Sequence, residues 1–214
     1  MSDKKSFQTE RIALFSDAVF AIAVTLLVIE IKAPVVVESN PAEYSHAFWE
    51  SMREKFPEFL GFFISFVVIA TYWRGHHLLL GYLKDYNRKL ISINNWLLFT
   101  IICMPFSTKA MSSTLAFDPY ALYCCNIVIS TLMMIRLWKY ISNPANHLCD
   151  TIPEGVLKFK KASYISSIAG ILLSVLMNLF FGGLIARCFL FTIFLSEMIL
   201  GRKYRKKYGM GNKI

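Results

Sequence analysis

The stretch RIALFSDAVFAIAVTLLVIEI, Arg11 to Ile31, decides the fold. A helix rises about 1.5 Å per residue, so this run covers roughly 31 Å, the thickness of a bilayer's hydrocarbon core. It carries one acidic residue near its start, Asp17. Ionisable side chains inside a span are costly in lipid, so one placed there serves a function or locks helices together.

The rest of the chain extends this reading. With 56% hydrophobic and 17% charged residues and a mean hydropathy of +0.48, the composition is too apolar for an ordinary soluble domain. Apolar runs at 12–31, 58–80, 90–115, 119–138, 162–181 and 184–200 are each long enough to cross a membrane. They lack the period-2 alternation of barrel strands, and lipid leaves backbone groups no partner outside the segment. The expectation is an all-α, polytopic bundle with six spans in one unit, residues 1–201, followed by a basic tail over 202–214.

Charge sets the orientation. Of the 23 Lys and Arg residues, seventeen fall on one side when both termini share it: Lys4, Lys5, Arg11, Lys84, Arg88, Lys89, Arg136, Lys139, Lys158, Lys160, Lys161, Arg202, Lys203, Arg205, Lys206, Lys207 and Lys213. That side is the cytoplasm. The same asymmetry explains most of the net charge of +9, so the tail RKYRKKYGMGNK reads as a topology anchor facing anionic lipid rather than a nucleic-acid site. The first span lacks a small-x-small cleavage site and contains Asp17, so it is expected to be retained. Cys103, Cys124, Cys125 and Cys188 lie in spans and Cys149 in a loop. No metal spacing or disulfide framework is indicated.

Helical phase divides the first span. At 100° per residue, Phe15, Val19, Ile22, Leu26 and Ile29 share one apolar stripe bordered by Thr25, and Asp17 lies about 140° from Ile22. Most such faces simply pack on other helices or lipid. Outside the spans, residues 32–57 hold Glu38, Glu43, Glu50 and Glu54, which would concentrate cations near a mouth. An amphipathic helix over Glu43 to Glu54 is the plainer reading.

The pattern RxxxFSD followed by AVFAIAxTLL resembles the signature of the transmembrane protein 175 family of potassium channels. The resemblance rests on Arg11, Phe15, Ser16, Asp17, Ala18, Phe20, Ile22 and Thr25 through Leu27. It continues with Trp73, His76 and His77 as WxxHH, then Asn94 and Pro105-Phe106, and so covers roughly the first half of the chain.

What the resemblance implies is a potassium-permeable cation channel whose pore is lined by the first helix of each repeat. Ile22 would form the constriction, Leu26 and Ile29 further apolar layers, and Thr25 a hydroxyl near the path. Apolar rings narrow enough to expel water block ions, and a modest widening lets them wet. Arg11, Phe15, Ser16, Asp17, Trp73, His76, His77 and Asn94 would form a locking network behind the pore. Resemblance to the prokaryotic members further implies a homotetramer in a plasma membrane, with potassium as permeant ion and no cofactor.

A transporter and a non-conducting membrane scaffold compete with the channel, although a scaffold would need no acid or histidines within its spans, and an enzyme is disfavoured. A proton-coupled secondary transporter would use Asp17 and His77 as a relay, but such proteins usually show broken helices or inverted repeats near the midplane. An enzyme would need a converging cluster, whereas His76 and His77 point about 100° apart on a helix. Arg187 and Glu197 in the last span have no role assigned by sequence.

Overall fold

Apolar length, not local propensity, makes these helices, because a buried or lipid-facing backbone must bond to itself. In the computed structural model, which describes residues 2–37 and 40–209, nearly every described element is helical. Glu38 of the outer loop and Lys213 of the tail lie outside the described residues. The helices are α1 (Ser2–Ile29), α2 (Pro41–Glu54), α3 (Phe56–Leu80), α4 (Arg88–Ile102), α5 (Met104–Ser112), α6 (Phe117–Ile141), α7 (Glu154–Phe181), α8 (Gly183–Phe189) and α9 (Phe191–Tyr208). Among the described residues, six segments are long and apolar enough to cross a membrane: Phe7–Ile29, Phe56–Leu80, Arg88–Ser112, Phe117–Ile141, Glu154–Phe181 and Gly183–Tyr208. The protein is a multi-pass membrane protein.

Element ends differ from the sequence expectation in informative ways. The first span begins at Phe7, which puts Asp17 next to its middle rather than near its start. The third is broken at Cys103 between α4 and α5, because Pro105 brings no backbone N–H and its ring crowds the preceding turn. The last is broken at Leu190, whose N–H bonds the Arg187 carbonyl at 3.1 Å in a tight i→i−3 turn. α7 starts at Glu154 and α9 runs through the basic run to Tyr208, so much of the expected inner loop and tail is helix. The amphipathic segment of the outer connection is α2.

Packing divides the molecule unequally. α1 lies against α3, α4 and α5, and α6 closes on α4 and α5. The hairpin of α7 with α8 and α9 joins this group through contacts of α7 with α6 and α9 with α3. α3 approaches α5 closely at Gly61, where an added Cβ would sit 2.9 Å from the Ser112 Cβ. The core between these helices is threaded by hydroxyls. Tyr72 donates to the Ile127 carbonyl at 2.9 Å, and Thr108 donates to Ser65 Oγ at 2.7 Å, which in turn meets the Tyr123 hydroxyl. In a lipid environment such bonds specify which helix sits beside which.

At the end where α3 and α6 finish, the connections following each are tied together. The backbone N–H groups of Lys84 and Asp85 both donate to the Leu148 carbonyl, and Lys84 pairs with Asp150 at 2.7 Å.

Candidate functional site

α1 presents two faces of different character. Ser16, Phe20, Ala23 and Leu27, spaced four, three and four apart, are buried against the bundle. That spacing keeps one side of a 3.6-residue helix inward. On the far side Ile22 is 58% and Ile29 70% exposed, with Ala18 exposed one turn before Ile22 and Thr25 exposed between the two isoleucines. Leu26, at 39%, occupies the shoulder. Val19, placed on the same stripe by helical phase, is instead half-buried against the core. The centre of the open face therefore runs along Ala18, Ile22, Thr25 and Ile29, turned slightly away from Leu26. The Thr25 hydroxyl donates to the Ile22 carbonyl at 2.9 Å, so its oxygen stays close to the helix backbone.

Behind that face, Ser16 and Asp17 grip two different neighbours. Ser16 Oγ donates to the Ile12 carbonyl at 2.8 Å and accepts from Asn94 Nδ2 on α4 at 3.0 Å. Asn94 Oδ1 is 2.7 Å from His76 Nε2 on α3. An amide oxygen only accepts, so His76 carries its proton on Nε2. Asn94 thus spans α1 and α3 with one donor and one acceptor. The His76 ring also meets Phe20 at a centroid distance of 5.4 Å.

Asp17 Oδ1 accepts from the Trp73 indole N–H at 2.9 Å. Of the residues that the resemblance groups with this carboxylate, Trp73 is the one that bonds it. His77 reaches the group indirectly, through ring contact with Trp73 at 5.5 Å. Ser16, Asp17, Trp73, His76, His77 and Asn94 therefore come together. Arg11 and Phe15 do not: the Arg11 guanidinium lies over the Phe7 ring, and Phe15 is 59% exposed. Both belong to the outward side of α1, where the residue spacing carries them.

Further charged groups inside the bundle were not assigned by the sequence pattern. Lys109 on α5 donates to the Glu30 carbonyl just beyond α1 at 2.8 Å and to Glu58 on α3 at 2.9 Å. Arg187, buried in α8, donates to the carbonyls of Met111 and Thr114 at the end of α5. A cation there satisfies orphan carbonyls and complements the helix dipole. Glu197 on α9 pairs with Lys160 at 3.3 Å and Arg74 at 3.6 Å. Arg187 and Glu197 thus serve different partners. The available signal was their presence within apolar runs.

Comparison with known proteins gives a consistent picture. The family profile described as Endosomal/lysosomal potassium channel TMEM175 matches residues 11–105. A potassium channel of Streptomyces collinus is 29% identical over 148 residues, covering 67% of this chain and 68% of that protein. A potassium channel of Chryseobacterium sp. is 32% identical over 123 residues, 57% of this chain and 59% of its own length. Among solved structures, a lysosomal potassium-selective channel TMEM175 homolog from Chamaesiphon minutus superposes with a TM-score of 0.70 at 23% identity. That match covers 92% of this chain and 98% of the other, and shows a shared fold.

Proposed function

We propose that the chain, which matches the TMEM175 family model over residues 11–105 and is similar to bacterial potassium channels, is a passive, potassium-permeable cation channel with α1 lining the pore. One observation carries this reading. The middle of α1 turns a face of Ala18, Ile22 and Ile29, interrupted by the Thr25 hydroxyl, away from its own subunit, while the opposite face is locked inward. In a homotetramer, copies of this face surround one axis, consistent with closed cyclic symmetry.

In this reading Ile22 makes the narrowest apolar ring and Ile29 a second layer, with Leu26 at the subunit seam. A ring of branched apolar side chains excludes water at small radius, and rotation or outward tilt of α1 wets it. The hydrogen bonds of Ser16 and Asp17 hold the angle of α1 about its own axis. They determine which side chains point at the pore.

Asp17 is a structural lock in this scheme, not a relay. Its carboxylate is engaged by the Trp73 indole, which leaves His77 one ring away. The basic residues of the inner loops favour both termini in the cytoplasm, and the resemblance to prokaryotic members favours a plasma membrane.

The test is the reversal potential of the purified protein in planar bilayers, with potassium on one side and sodium on the other. An ohmic current reversing toward the potassium equilibrium supports a selective passive pore. No current from well-inserted tetramers, with proton-coupled flux instead, would replace it with a transporter working through Asp17 and His77.

A further inference from the structure

Between α3, α7 and α9, toward the end where α9 carries its basic run, the surface opens into a groove of about 560 Å³. Its titratable lining is strongly one-sided. Arg74, Lys160, Arg202 and Arg205 line it with one carboxylate, Glu197, and with His77. Glu197 meets both Lys160 and Arg74, so with Arg202 exposed on the groove three cations stand against one carboxylate. The remaining wall is apolar and aromatic, including Phe159, Phe194 and Met198.

This juxtaposition has a specific chemical meaning. Guanidinium groups recognise phosphate oxygens through paired N–H donors. A free phosphate would use the cations and leave Phe194 and Met198 without a partner. An amphiphile uses both halves, with its head at the arginines and its chain along the membrane-length helices α3 and α9. We propose that this groove is a binding site for an anionic phospholipid, its phosphodiester head held by Arg202 with Arg74 and Lys160 behind it. Basic pockets between membrane helices take such head groups in general. Trp73 and His77 border the groove as well as the Asp17 lock, and the proposal is tested by lipid retention, without conduction.

The experiment is native mass spectrometry of the full chain in neutral detergent, titrated with phosphatidylglycerol or phosphatidylcholine at equal concentration. The wild-type protein is expected to retain phosphatidylglycerol preferentially. Arg202→Glu, at an exposed position, should weaken that retention by at least roughly fivefold per charge removed, while Arg202→Lys keeps most of it. Equal retention of the two lipids by the wild-type protein overturns the proposal even if the charge-reversed variant fails to fold. Unchanged retention in folded Arg202→Glu also overturns it. Inorganic phosphate displacing the lipid at equal concentration would make the occupant a soluble phosphate instead.

Discussion

Asp17 and Trp73 meet across 2.9 Å with the indole nitrogen as donor, and this bond joins the middle of the first span to the second. The pair fixes the rotation of α1 about its axis, because the carboxylate lies on the flank between the buried and open faces. Trp73→Phe removes the donor but keeps an aromatic ring, and is expected to cost about 1–2 kcal/mol, the net worth of a hydrogen bond to a charged group discounted for partial exposure. Asp17→Asn retains an acceptor oxygen and should cost less than Asp17→Leu. Thermal melting of the detergent-purified protein ranks the three.

Asn94 is the more demanding position. Its amide gives a proton to Ser16 and takes one from His76, so Asn94→Leu leaves both partners without it in a buried site. The expected loss is about 2–4 kcal/mol, two buried groups at 1–2 each. Asn94→Asp keeps the acceptor toward His76 and lets Ser16 reorient as donor, so it should fall between. If Asn94→Leu melts with the wild-type protein, the bridge does not hold α1.

Ile22→Ser tests the apolar ring. Lowering the wetting barrier by about 1.4 kcal/mol raises flux roughly tenfold, and a basal leak of that order is expected with reduced discrimination of potassium from sodium. Leu26→Ser, on the shoulder of the open face, should leak less. Liposome flux assays on both variants give the order, and a larger leak from Leu26→Ser would shift the pore-facing side of α1.

Arg187 is buried and holds the carbonyls of Met111 and Thr114. Arg187→Met strands those acceptors, at a cost of about 3 kcal/mol for two charge-assisted bonds. Arg187→Lys, with one compact head group, recovers part of it. The drop in melting temperature should depend little on salt, since the guanidinium is fully buried.

Gly61→Ala forces a Cβ to within 2.9 Å of Ser112 Cβ. Overpacking of this kind costs about 1–3 kcal/mol. Gly61→Ala with Ser112→Gly should recover most of it, and the double variant's melting temperature is the check.

The number of spans was legible because apolar length is a property of each segment by itself. Helix breaks were legible only where a residue enforces them. Pro105 marks the turn at Cys103, but nothing in Phe189-Leu190-Phe191 distinguishes the break at Leu190 from an unbroken apolar helix. The early start of α1 was hidden because charged residues continue a helix in water as readily as they end a membrane run. That hid the central depth of Asp17 as well.

Partners were the harder part. Spacing along α1 separates Asp17 from the Ile22 face, yet the choice of Trp73 over Arg11 or His77 depends on how α3 rotates against α1. The bridging role of Asn94 depends on three helices at once. The same holds for Glu197 with Lys160 and Arg74, whose sequence separation conceals a shared depth in the bundle.

The order in which the chain is made gives the first span an awkward interval. Asp17 waits for Trp73, 56 residues downstream, and Ser16 waits for Asn94, 78 residues downstream. At roughly 5–20 residues per second of synthesis, the first helix spends several seconds with its central acid unmatched, against an insertion penalty of about 2.5–3.5 kcal/mol. Only the apolar residues around it, including the face that later turns toward other subunits, hold it in the bilayer during that time. The side chains that would close the pore are therefore also the ones that carry the nascent helix through its own biogenesis.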